Sequence, residues 1–257
     1  MKSILIFIAL VGIGVGLWYG GVFLNRGTEH ILGGSVVVPN QMQYVEEQQY
    51  HRISITHPQH TPLRDSAANE KALETMENFF LTDMVEFKKM TNPDDMHPDQ
   101  KALLDEMNRK LEYGVVFKEY ISSNDKLVSY RYDIYQDTGG AHPNCFFKTF
   151  TFDAEGNEIK VGDLFTAESD YLNRLATATY AAVFKQLQEG LDGEDPTPSI
   201  FKEGLDAKDE NFSNFVIDGD TLIILIPPYQ AAAYVAGSYE VPIPLSQFAD
   251  ILQPEWK

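Results

Sequence analysis

Thr138-Gly139-Gly140-Ala141-His142-Pro143-Asn144 separates two strand-like runs, 126–136 and 145–153. Alternation of apolar and polar residues marks a half-buried strand. Paired glycines permit a backbone that other residues avoid. The chain therefore turns back on itself here, and the two runs pair as a hairpin.

The same grammar recurs on both sides. Ser123-Asn124-Asp125 joins a strand over 112–122 to the run at 126–136, and Asp218-Gly219-Asp220 joins 213–217 to 221–226. Further strands are predicted at 50–56 and 239–243. Helical spacing places Leu73, Met76, Phe80, Met84 and Phe87 on one stripe of a helix over 66–90. A second helix is predicted over 98–110 and a third over 169–189, with Leu172, Leu175, Ala176, Val183, Phe184 and Leu187 on one face. A last helix is expected near 245–252. Hairpins and amphipathic helices together give an α+β class: an antiparallel β-sheet with helices packed on one face.

Ser3 to Leu24 carries no charge. As a helix it would be about 33 Å long, enough to cross a hydrocarbon core of about 30 Å. A cleaved signal peptide is the competing reading, but a cut after Gly16 would leave a strongly apolar new terminus. An uncleaved anchor over 1–25 is expected, then a linker over 26–47. The two halves of an ectodomain follow, 48–155 and 156–257. Lys2 favours an inside N-terminus, which puts the folded part in the periplasm or outside the cell. Gly12, Gly16 and Gly20 share a helix face on which two such spans could associate into a homo-oligomer.

Beyond Arg26 the chain has 18 basic against 38 acidic residues, a net of −20, since Lys2 and Arg26 carry the other two of its 20 basic groups. Such a surface repels phosphate backbones, so nucleic acid is not expected as a partner. It attracts cationic ones.

The chemistry-bearing residues are few. His142 and Cys145 offer an imidazole and a thiol three apart, the elements of a nucleophile pair or half a metal site. On a strand they face opposite sides, and no third group orients the histidine. Cys145 is expected as a small buried residue and His142 as a pin for the turn. His51, His57 and His60 lack the converging partners of a zinc site. Neither Asp94-Asp95 nor Asp192 to Asp195 has calcium-loop spacing. No nucleophile-elbow, zinc-helix, P-loop or dinucleotide motif occurs, so no metal or cofactor is expected. Tyr229, Tyr234 and Tyr239 follow Pro227-Pro228 and suit a contact surface, each a rigid ring with a polar tip.

Three stretches together resemble one family. They are Tyr132 through Asn144, then Phe152-Asp153 to Gly156 with Val161-Gly162-Asp163-Leu164-Phe165, and Tyr229 to Gly237 with Val241-Pro242-Ile243-Pro244. They are similar to the extracytoplasmic domain of RsiV-type lysozyme-responsive anti-sigma factors, found also in PdaC-type peptidoglycan deacetylases. The resemblance covers about residues 48–252. It implies an α+β ectodomain that binds a cell-wall-related partner, a cationic protein such as lysozyme or a peptidoglycan fragment. Sigma-factor control and deacetylation are not carried over. The expected function is that of a membrane-anchored, non-enzymatic binding domain with Thr138, His142, Tyr229, Tyr234 and Tyr239 at its contacts. An envelope hydrolase or transferase with His142 in its site is one alternative; a self-associating structural envelope protein is another.

Overall fold

A computed structural model describes residues 40–257 throughout and, before them, the backbone alone of 21–24, 29–31 and 34–36. Residues 1–20, most of the predicted span together with Gly12, Gly16 and Gly20, lie outside the described residues. The backbone of the last four span residues forms strand β1 (Gly21–Leu24). No helix among the described residues is long and apolar enough to cross a membrane.

The chain forms two compact units that interleave along the sequence. One takes the residues up to Thr61 with Leu73–Phe117 and Asp133–Cys145; the other takes Pro62–Ala72, Lys118–Tyr132 and Phe146–Lys257. Short strands β2 (Glu29–Ile31) and β3 (Gly34–Val36) pair with each other. A six-stranded sheet follows, in the order β1-β4-β5-β6-β7-β8. Its members are β4 (Gln41–Glu47), β5 (His51–Pro58), β6 (Leu111–Ile121), β7 (Val128–Asp137) and β8 (Asn144–Phe152). Residues 41–47, assigned to the linker by sequence, are thus a strand, with Met42, Tyr44 and Glu46 buried.

The sheet is mixed, which corrects the antiparallel expectation. β4 and β5 pair antiparallel, but β5 pairs parallel with β6, from His51 opposite Leu111 to Ile55 opposite Val115. The reason lies in the connection. Helices α1 (Ser66–Met90) and α2 (Pro98–Met107) fill it, and a crossover of that length returns a strand in the same direction.

Asp65 starts α1 by accepting the amides of Ala67 and Ala68 at 2.9 and 3.0 Å. Met76, Phe80, Met84 and Phe87 of α1 are buried as predicted. In the first unit Phe87 meets the rings of His51 and Tyr113 edge-on and tilted, at 6.0 and 5.5 Å, so the helix lies against β5 and β6. α2 begins with Pro98 after His97, whose side chain accepts the Asp99 amide. It ends at Asn108, left-handed at φ 47°.

The second unit centres on a three-stranded antiparallel sheet, order β11-β10-β9, from β9 (Phe215–Asp218), β10 (Thr221–Ile226) and β11 (Tyr239–Pro244). Helix α3 (Tyr171–Gly190) buries Leu175, Thr179, Val183 and Leu187 in the same core as Phe215, Ile217, Leu222 and Ile224. Val216 and Leu225, pointing the other way, pack with Phe147 of β8. Both faces of the small sheet are thus covered, and β10 reads as an unbroken apolar run. At its edge, two buried amides of β9 are taken by hydroxyls: Phe215 N–H donates to Thr149 Oγ1 at 2.9 Å and Ile217 N–H to Ser129 Oγ at 3.0 Å. The helix expected near 245–252 is a single 3-10 turn, Leu245–Phe248.

Candidate functional site

The Tyr229–Gly237 loop leaves β10 through Pro227-Pro228, which offer no amide for a ladder. Tyr229 sits at φ 70°. A bulky residue in the left-handed region is strained, and surrounding structure must hold it there. The hold is visible. Gln230 Nε2 donates to the Gly204 and Asn211 carbonyls at 2.8 and 2.9 Å. The Phe201 amide donates to the Ala231 carbonyl at 2.8 Å. Ala231 and Ala232 are buried in the core of the second unit. The chain then makes a 3-10 turn at Tyr234–Ala236 and leaves through Gly237 at φ 77°.

This clamped base carries an apolar crest. Tyr229 is 56% exposed, Val235 94% and Phe201 45%. The Tyr229 and Tyr234 rings lie 5.2 Å apart and 34° inclined, one continuous aromatic surface. Tyr239 does not join it. The inward-outward alternation of β11 buries Tyr239 to 4% exposure, which removes it from the expected contact set. Its hydroxyl has no hydrogen-bond partner among the described residues, and burial pushes its pKa up. The Val235 and Phe201 contributions were missed in the sequence, where neither residue breaks a pattern.

The Thr138–His142 turn belongs to the first unit. Gly139 adopts φ 83° and its amide donates to Asp137 Oδ1 at 2.9 Å. The Thr138 carbonyl accepts Gln100 Nε2 at 3.3 Å, and Asp137 is buried and paired with Arg109. His142 is exposed, with Nδ1 3.0 Å from the Pro143 carbonyl of its own turn. Cys145 is exposed as well, contrary to expectation, because the first residues of β8 face solvent.

His51, within the strand predicted at 50–56, and His57, just beyond its predicted end, are both buried in β5. His51 Nδ1 lies 2.9 Å from Thr91 Oγ1 and its Nε2 3.1 Å from Glu46 Oε1. Glu46 also pairs with Lys88 and accepts from the Tyr44 hydroxyl. Burial alone would raise the Glu46 pKa. The hydrogen bonds from His51, Lys88 and Tyr44 outweigh that and hold it at about 2. Burial and the Glu46 carboxylate push the Tyr44 phenol strongly up. Hydroxyl, imidazole and carboxylate stand in the order of a nucleophilic relay, but Thr91 is fully buried and bonded to the Phe87 carbonyl. The set is a polar brace. Among the described residues no three His, Cys, Asp or Glu side chains are grouped to hold a metal ion.

Residues 162–246 match the family described as "Protein of unknown function (DUF3298)". That span holds α3, β9 to β11 and the tyrosine loop, and begins at Gly162. A Cβ there would lie 2.8 Å from the Tyr171 hydroxyl, whose ring stacks on Phe165 at 5.0 Å. The chain is 29% identical over 189 residues to peptidoglycan-N-acetylmuramic acid deacetylase PdaC of Bacillus subtilis strain 168. The match covers 73% of this chain but 38% of the deacetylase. A DUF3298-family protein of Bacteroides fragilis superposes with a TM-score of 0.54 at 18% identity, over 91% of this chain and 92% of the other. One from Pseudomonas aeruginosa gives 0.52 at 14%, over 84% and 95%. At such identities the likeness shows the fold alone. The motifs, the fold and the PdaC match agree: residues 162–246 of this chain resemble the DUF3298 family, and the chain is similar to a part of the deacetylase PdaC.

Proposed function

We propose that the chain is a membrane-anchored, extracytoplasmic, non-enzymatic domain that binds cell-wall-related material, a lysozyme-like cationic protein or a peptidoglycan glycan. The observation that carries the reading is the Tyr229–Tyr234 pair, with Tyr229 exposed and Tyr234 half-buried beside the exposed Val235, on a loop whose base is locked by Gln230. Rigid aromatic residues lose little entropy on contact and dominate binding surfaces. Strain at Tyr229 is kept by the fold rather than relaxed. The net charge favours a cationic partner. The relation to a protein named for acting on peptidoglycan N-acetylmuramic acid suggests cell-wall material.

Calorimetric titration of the full chain with lysozyme and with soluble peptidoglycan fragments tests this. Saturable heat with one of them is expected. Absence of heat with both would remove both ligands.

A further inference from the structure

The second unit also carries a concave feature whose lining includes no residue of β9 to β11. It is a cleft of about 680 Å³ between the Asp153–Ile159 turn, the Gly162–Phe165 turn and the C-terminal Pro254–Trp256 turn. That volume is in the range of small-ligand sites. Its apolar lining includes the buried Phe165 and Ile159, and the half-buried Trp256.

Trp256 is reachable by solvent yet fixed. Its indole N–H donates to the Asp163 carbonyl at 3.0 Å. The turn that carries it is tied by the Gln253 amide to the Leu164 carbonyl at 2.9 Å, and by Lys126 Nζ to the Glu255 carbonyl. A half-exposed indole held in this way is a preorganised flat surface.

The cleft's charged lining is predominantly acidic, four carboxylates to one ammonium. Asp153 is engaged in its own turn, accepting the Glu155 and Asn157 amides at 3.0 and 2.8 Å. Asp163 accepts the Lys160 amide with one oxygen, at 2.8 Å. The carboxylates of Glu155 and Glu255 are exposed and have no hydrogen-bond or ion-pair partner among the described residues. Lys126, the cation in the lining, already has its ammonium on the Glu255 carbonyl.

We infer that this cleft is a carbohydrate site selective for amino sugars whose amine is free and protonated, with Trp256 stacking on the pyranose face and Glu155 and Glu255 receiving the ammonium. Both halves of the ligand are needed. The indole offers an apolar plane for the C–H face of a sugar ring. The carboxylates make an acetylated, uncharged nitrogen a poorer fit than a charged one. An open cleft of this size also accommodates more than one ring. The choice of a cell-wall-type glycan rests on the function proposed above; the site itself does not involve the tyrosine loop.

The chain has two tryptophans, Trp18 and Trp256, so Trp18→Phe leaves Trp256 as the sole indole emitter. The full chain carrying that change is titrated with a β-1,4-linked glucosamine tetramer and with its fully N-acetylated counterpart. Saturable change in Trp256 emission is expected with the amine form, at least about tenfold tighter than with the acetylated form. Affinity should fall by about tenfold from about pH 6 to about pH 9 as the amine loses its proton, and fall with added salt. Glu155→Gln with Glu255→Gln should abolish the preference while leaving circular dichroism and melting unchanged.

Equal binding of the two tetramers would overturn the selectivity. A lysine tetrapeptide binding as tightly as the amine tetramer would show that the sugar ring is not read. No saturable change with either sugar would overturn the site. Tyr229→Ala with Tyr234→Ala separates the two readings. If that variant keeps the Trp256 response while the wild type binds neither lysozyme nor peptidoglycan fragments, the loop reading fails and the cleft stands.

Discussion

The backbone of Gln230 passes so close to Gly204 that a Cβ on the glycine would lie 1.8 Å from the Gln230 carbonyl oxygen. The same glutamine returns its side-chain amide to the Gly204 carbonyl at 2.8 Å. The two residues form a lock, and the strained Tyr229 precedes it by one position.

Gly204→Ala should break this lock. Backbone opposite backbone cannot give way as a flexible side chain does, so the loop must shift. A loss of about 1–3 kcal/mol of stability is expected. Amide exchange over 229–237 should rise well above that elsewhere in the second unit. Unchanged protection there would show that the close approach does not hold the loop.

The buried brace around Glu46 makes an acid-stability prediction. Its folded pKa is about 2 against 4.5 in the unfolded chain, so the unfolded state binds the proton more readily. Its stabilisation is therefore complete above about pH 5 and lost as pH falls toward 2. The shift corresponds to about 3 kcal/mol. Urea midpoints measured across that window should fall in the wild type. Glu46→Gln should be less stable near neutral pH, leaving Lys88 without its buried partner, and should lose that part of the acid slope. An unchanged slope in the variant would contradict the assignment.

At the β9 edge, Ser129→Ala leaves the buried Ile217 amide without its acceptor. A loss of about 1–3 kcal/mol is expected, read from denaturant unfolding at constant slope. The Ser129 hydroxyl also contacts Thr151 Oγ1 at 2.9 Å. Ser129→Ala and Thr151→Ala should therefore couple when combined. Full additivity would show that the hydroxyls do not act together.

Elements with strong local period were legible in the sequence. The Met76-Phe80-Met84-Phe87 stripe of α1 came from its helical spacing, and the hairpin at Asp218-Gly219-Asp220 from its turn residues, with Gly219 at φ 55°. What depends on distant partners was not. β4 looks like linker because a strand's pairing lies outside its own residues, here in β5. The parallel β5–β6 register is set by where α1 and α2 return the chain, which no local pattern records. The brace around His51 was not legible because its partners, Glu46 and Thr91, come from other elements. At the candidate site, prolines and tyrosines marked the loop, but the buried fate of Tyr239 follows from strand parity, and the Gly204–Gln230 lock joins residues 26 positions apart.

The most direct test compares the full wild-type chain with Tyr229→Ala/Tyr234→Ala in parallel titrations against lysozyme and soluble peptidoglycan fragments. The account predicts saturable binding of one of these by the wild type. It predicts about 100-fold weaker binding by the double variant, the loss expected of a central aromatic pair, with melting temperature unchanged. A double variant that binds as tightly as the wild type would contradict the account, as would a wild type that binds neither ligand.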